Sequence, residues 1–211
     1  MNNETTERIR NVKERLLAER LFGETQDSLS VRVPGRDAFV LAFPNGNDVR
    51  TESFRTKALS AAGFHAAIYR TRKDAGAVLI GRTKWSTALS ALGKVTPTLF
   101  DEQARHIGNA GKPLRIGRSA RVSGAIKEGA NVAIYGDQRI CVGTTPNRVV
   151  FNAELFEKCS KAFVVAHASG KRIRKVPGWV RFIAGGRLKK DQKRAAESYA
   201  AGRIPEGMDG Y

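Results

Sequence analysis

The 211 residues carry 37 Lys/Arg against 20 Asp/Glu, a net charge of +17, and 41% of them are hydrophobic. That hydrophobic content excludes a compositionally disordered chain and suffices for one substantial core, or one core plus a tail. No apolar run approaches a membrane span, and the opening "MNNETTERIRNVKERLL" lacks the apolar stretch of a secretory signal, so the reading is a soluble, cytoplasmic protein.

The charge is unevenly spread. Between Lys171 and Arg194 stand ten Lys/Arg and one acid, Asp191, a local charge of +9. Such a balance points to a polyanionic partner: nucleic acid, an anionic surface or phosphorylated metabolites. The two cysteines, Cys141 and Cys159, have no metal-binding or redox spacing and read as buried reduced thiols.

In chain order, residues 6–22 read as a helix, with Ile9, Val12, Leu16 and Leu21 on one face and Gly23 as its stop. "SLSVRV" (28–33), a "PGRD" turn and "AFVLAF" (38–43) form a hairpin, and "PNGND" (44–48) is a further turn. Residues 55–70 read as a helix, and "GAVLIG" (76–81) as a short strand buried on both faces. Trp85, Ala88, Leu89 and Leu92 have the spacing of a helix face. Residues 101–109 and 118–128 read as helical, "NVAIYG" (131–136) and "RICVG" (139–143) as a second hairpin, and 147–168 as a long helix. The organisation expected is a domain over 1–170 and a basic extension over 171–211, a tail or an appended helix outside the core. Strands that arrive as hairpins between helices argue for a mostly antiparallel sheet covered by helices.

Four stretches resemble the class II aldolase/adducin family, which includes zinc-dependent fuculose-phosphate aldolases, ribulose-phosphate 4-epimerases and the adducin head domain. "SLSVRV" resembles the family's G-N-x-S-x-R strand, and "VLAFPNG" its L-I-T-P-S-G strand and turn. "FHAAIYRTRKDAGAVL" resembles F-H-x-A-I-Y-x-x-R-P-D-x-x-A-V-V, continued by "STALSALGK" and "DEQARHIG". The hairpin and long helix from Asn131 to Ala166 resemble the closing H-G-x-x-x-x-G unit and its helix. The likeness covers roughly residues 10–168. It implies a three-layer α/β/α sandwich around a mostly antiparallel sheet. It also implies a homo-oligomer, a tetramer with sites between neighbouring subunits.

In the family's enzymes a divalent metal, usually zinc, is held by an H-x-H at a strand end and a third histidine in the later hairpin. Those positions match Ile80-Gly81-Arg82 and Asp137 here, and the acid/base glutamate aligns with about Ala61. Isoleucine has no donor atom, and an arginine does not deprotonate to ligate, so only Asp137 remains a donor. No zinc or other cofactor is expected unless a relocated site exists. The other histidines are His65, the structural F-H position, His106 and His167, and none has a metal spacing. The family's phosphate pocket matches Asp27-Ser28, Asn45-Gly46 and Leu59-Ser60, with Arg82 and Lys84 as a cationic pair nearby.

Three functions follow as expectations. The first is a metal-free aldolase-like protein without lyase activity: a scaffold, sensor or assembly module that binds a small anion through Ser28, Asn45, Gly46, Ser60, Arg82 and Lys84. The second is a lyase or epimerase for a sugar phosphate or hydroxy acid, with Arg82 holding the anion and His106 or Asp137 moving a proton. The third is binding of nucleic acid or an anionic surface through the basic segment, where Trp179 and Phe182 interleave with cations.

Overall fold

A computed structural model describes residues 3–57, 60–110, 114, 124, 126 and 129–207. Helix α1 (Asn3–Ala18) buries Ile9, Val12 and Leu16 at helical spacing. Strands β1 (Ser28–Arg32) and β2 (Ala38–Ala42) form the expected hairpin, and β3 (Val49–Ser53) adds to β2. After α2 (Ala61–Thr71) comes β4 (Ala77–Gly81), buried along its whole length as expected, and then α3 (Lys84–Leu92). A π-helical turn (Gln103–Ile107) precedes the hairpin of β5 (Val132–Tyr135) and β6 (Gln138–Gly143). Helices α4 (Pro146–Ala168) and α5 (Gly178–Ala200) complete the chain.

All neighbouring strands pair antiparallel, in the order β3-β2-β1-β4-β6-β5. Side chains alternate between the faces, as strand geometry requires. Leu29, Val31, Ala77, Leu79 and Cys141 face one layer, where α1, α3 and α4 supply Leu16, Leu89 and Phe156. Val78, Ile80, Ile140 and Val142 face the other, where α2 supplies Ala62, Ala66 and Tyr69. The sheet thus lies between two helical layers, an α/β/α sandwich. One end of it gathers Ser28, Ala42, Gly81 and Gln138; the opposite end gathers Arg32, Ala38, Ala77 and Gly143. Both cysteines are buried and free, and burial raises their thiol pKa values to about 11 (Cys141) and about 12 (Cys159).

Several boundaries differ from expectation. The first helix stops at Ala18 rather than 22, because Arg20 takes a left-handed φ of 55° and turns Leu21 and Phe22 into the core. The helix expected from 55 begins at Ala61, where Ser60 caps it by accepting from the Gly63 N–H. The segment 101–109 is an α-turn that widens to π geometry, and 118–128 lies almost entirely outside the described residues. The basic extension takes one of the two forms expected, an appended helix, but it is packed rather than free. Helix α5 is packed along one stripe: Ala184, Leu188, Gln192, Ala195 and Tyr199 are buried. Gln192 donates to the Asn131 Oδ1 (2.9 Å), and the Tyr199 hydroxyl donates to the Thr144 carbonyl (2.8 Å).

Candidate functional site at the strand ends

The end of the sheet that carries Ser28 and Gly81 is where most of the sequence-derived positions meet. The β2–β3 turn brings Asn45 and Gly46 there, the β5–β6 turn brings Asp137, and α2 points its N-terminus there. Arg82 and Asp137 converge: Nε lies 2.8 Å from the carboxylate, both side chains partly exposed. The contact is an ion pair whose angles fall short of a hydrogen bond. A second guanidinium nitrogen donates to the Gln26 Oε1 (3.3 Å).

Asp27 is built into the scaffold. It is fully buried and accepts from the backbone N–H groups of Gly23, Glu24 and Arg82, each at 3.0 Å. Its carboxylate leaves no room for a side chain at position 81, since a Cβ there would stand 2.7 Å from Asp27 Cγ. Ile80 belongs to the apolar cluster beneath α2.

The remaining positions are committed elsewhere. Ser28 contacts the His65 Nε2 at 2.9 Å, while Ser30 contacts the His65 Nδ1 at 2.7 Å and the Tyr69 hydroxyl at 2.9 Å. Both ring nitrogens of His65 are therefore occupied, and burial holds its pKa down at about 3, so the ring is neutral. The Ser60 hydroxyl caps α2. Asn45 and Gly46 are exposed, and the Gly46 carbonyl accepts from the Lys13 ammonium, which places an acceptor where anion-binding N–H groups were expected.

Lys84 is not paired with Arg82. Its ammonium lies 5.0 Å over the Trp85 ring and lines a groove with Glu19, Glu154 and Glu157, on the layer of α1 and α4. His106 is at the opposite end of the sheet. Its carbonyl accepts from the Asn131 side chain (2.7 Å), its Nδ1 lies 3.2 Å from an Arg148 guanidinium nitrogen, and its ring meets Phe151 edge-on. Burial, then the charges of Arg148 and Arg105, depress its pKa to about 4. His106 and Arg82 are thus separated by the length of β6 within one chain. His167 stacks on Phe163 and meets the Lys94 ammonium at 3.1 Å. Among the described residues no group of three or more His, Cys, Asp or Glu is placed to hold a metal ion.

Sequence reasoning missed a buried cation beside this site. Arg139, opposite Gly81 in the β4–β6 register, is fully buried and donates to the Thr83 hydroxyl (2.9 Å) and the Leu21 carbonyl. Glu157 of α4 stands 4.0 Å from it and accepts the Trp85 N–H (3.0 Å) and the Thr83 hydroxyl, anchoring the start of α3. The signal available was an arginine in an otherwise apolar strand, "RICVG".

The profile of the Class II Aldolase and Adducin N-terminal domain family matches residues 32–164, more than half of the chain. The chain belongs to this family. Its fold is shared by solved class II aldolase-family structures. It is similar to the L-fuculose 1-phosphate aldolase from Glaciozyma antarctica PI12, at 17% identity and a TM-score of 0.68, covering 90% of this chain and 86% of that one. YgbL of Escherichia coli, described as a putative aldolase/epimerase/decarboxylase, matches at 16% identity and a TM-score of 0.71, over 87% of this chain and 100% of that one. A further L-fuculose 1-phosphate aldolase matches at 16% identity and 0.71, over 90% and 97%. Among curated protein sequences none matches.

Proposed function

We propose that this class II aldolase-family chain has lost the zinc site and acts as a metal-free scaffold or sensor module, without aldol cleavage. The observation that carries the reading is the Arg82–Asp137 ion pair at 2.8 Å, where two of the positions matched to metal ligands converge. A cation already stands there, and it neutralises the one carboxylate that could donate. Zinc needs several imidazole, thiolate or carboxylate donors at close range, and a guanidinium, a packed isoleucine and one paired carboxylate do not fit it. Enolate chemistry also needs a positioned acid or base, and Ala61 supplies none. The test is metal content of untagged, dialysed protein together with cleavage assays on sugar phosphates. Metal well below one per chain and no turnover support the reading; near-stoichiometric zinc, manganese or iron, or turnover, refutes it.

A second role, compatible with the first, is favoured by one specific observation. Trp179 and Phe182 are 69% and 83% exposed at the start of α5, within a run of eight Lys/Arg and no acid from Lys171 to Lys190. Aromatic rings among cations suit stacking on bases or insertion at an anionic surface. Binding that weakens steeply with salt and disappears in Trp179→Ala/Phe182→Ala supports this role; binding independent of those rings refutes it. The homotetramer and the cytoplasmic location belong to the same proposal, and light scattering of the purified chain tests the first. No helix among the described residues is long and apolar enough to cross a membrane.

A further inference from the structure

A second concave site lies at the opposite end of the sheet, where the residues matched to the family's metal and phosphate sites do not reach. Arg32 ends β1, about 13 Å from Ser28 by four strand rises. Its Nε donates to the Ala75 carbonyl (2.7 Å) and one terminal nitrogen to the Arg72 carbonyl (3.2 Å). The guanidinium stands over the rings of Tyr199, Phe54 and Tyr69 at 4.8, 5.0 and 5.3 Å. Burial pulls its pKa below the ordinary arginine value, against the opposing pull of Asp74 and Asp37.

This guanidinium opens on a cavity of about 410 Å³, whose rim carries Arg36, Lys73 and Asp37, with Tyr199 of α5 on one wall. Among the described residues none of Arg32, Arg36 and Lys73 has a carboxylate within ion-pair distance. Three cations thus face one acid across a pocket of small-molecule size. A part-buried guanidinium whose hydrogen bonds go to neutral carbonyls, with Asp74 and Asp37 acting only beyond ion-pair distance, keeps part of its desolvation cost. A phosphoryl group supplies a direct counter-charge: its terminal oxygens match the free edge of Arg32, and the exposed Arg36 and Lys73 line the same pocket. The Phe54 and Tyr199 rings offer an apolar wall to the rest of an ester.

We propose that the pocket between Arg32, Arg36, Lys73 and α5 binds a phosphorylated small molecule through its phosphoryl group. This does not depend on the fate of the zinc positions, since the two sites share no residue. Because Tyr199 forms a wall, the ligand also braces α5 against the sheet.

Calorimetric titration of the full chain with inorganic phosphate, at ionic strength fixed by sodium chloride, tests it. Arg36 and Lys73 are exposed, so Arg36→Ala/Lys73→Ala keeps the fold, checked by its urea midpoint. The wild type is expected to bind one phosphate per chain, and the double variant to bind at least about tenfold more weakly. Arg82→Ala is expected to bind as the wild type does. Asp37→Asn, which removes the one opposing carboxylate, is expected to bind about two- to fivefold more tightly. No saturable binding by the wild type at about 10 mM phosphate overturns the proposal. So does unchanged binding in the double variant, a weaker Asp37→Asn, or loss in Arg82→Ala, which would put the anion at the other end of the sheet.

Discussion

Removing Glu157 should destabilise the fold far more than removing the arginine it faces. Arg139 is fully buried with its Nε unpartnered, and Glu157, 19% exposed, is its nearest carboxylate at 4.0 Å. At that distance, with an effective dielectric near 20, the attraction is about 4 kcal/mol, and access of water to Glu157 reduces it to about 2. Glu157 also accepts the Trp85 N–H at the first turn of α3, a contribution of about 1 kcal/mol. Glu157→Ala therefore costs about 3 kcal/mol, a large share of a typical domain's stability. Arg139→Met costs about 1 kcal/mol, because deleting a buried guanidinium also deletes its desolvation penalty, and Glu157 keeps its contacts with α3. Urea unfolding of the two single variants and the double variant, followed by circular dichroism, gives both costs and a coupling of about 2 kcal/mol. A cost below about 1 kcal/mol for Glu157→Ala, or an equal or larger cost for Arg139→Met, refutes this reasoning.

Four further outcomes are expected. His65, held near pKa 3 by burial, must stay neutral to fold, so its contribution is complete above pH 6.5 and is lost as pH falls toward 3. His65→Asn should flatten stability between those limits, removing a slope approaching about 1.4 kcal/mol per pH unit; an unchanged slope contradicts the buried neutral ring. Glu154 has its pKa raised to about 7 by burial and by its hydrogen bond with Glu19, so stability is greatest in acid and declines as pH rises from about 4.5 through 7. Glu154→Gln should gain about 1 kcal/mol at pH 8 after discounting for solvent screening and nothing at pH 4, read from unfolding midpoints; equal effects at both pH values exclude a shared proton. Tyr199→Phe, which removes the bond to the Thr144 carbonyl, should cost about 1 kcal/mol and speed proteolysis in α5. Gly76→Ala should cost more, since a Cβ there stands 2.3 Å from the Thr144 carbonyl and 2.0 Å from the Tyr199 hydroxyl. A neutral Gly76→Ala would mean that α5 does not close over this backbone.

The sequence carried the elements whose burial is one-sided or complete. "GAVLIG" reads as a strand buried on both faces because its apolar run is short and unbroken. β3, "VRTES", left no such mark, since it is an edge strand with its side chains mostly in solvent. α5 was legible as a helix but not as a packed one. Its buried stripe is two alanines, a leucine, a glutamine and a tyrosine, and the last two are held partly by polar contacts rather than apolar area. At the strand ends, resemblance located Arg82 and Asp137 together, which no local spacing implies. Lys84 escaped the same prediction because α3 begins there and turns its side chain onto the opposite layer.

The two ends of the sheet divide their charges in opposite ways. At the end with Ser28 and Gly81, each cation or acid near the matched metal positions has a partner: Arg82 with Asp137, Asp27 with three N–H groups, and Arg139 with Glu157. At the end with Arg32, three cations stand without carboxylate partners among the described residues, beside one acid. α5 covers part of that end, and Arg105 and Asp191 pin it to the π-helical turn, so its basic length is anchored where the uncompensated charge lies. The fold thus pairs its charges at one end of the strands and leaves cations without carboxylate partners, among the described residues, at the other.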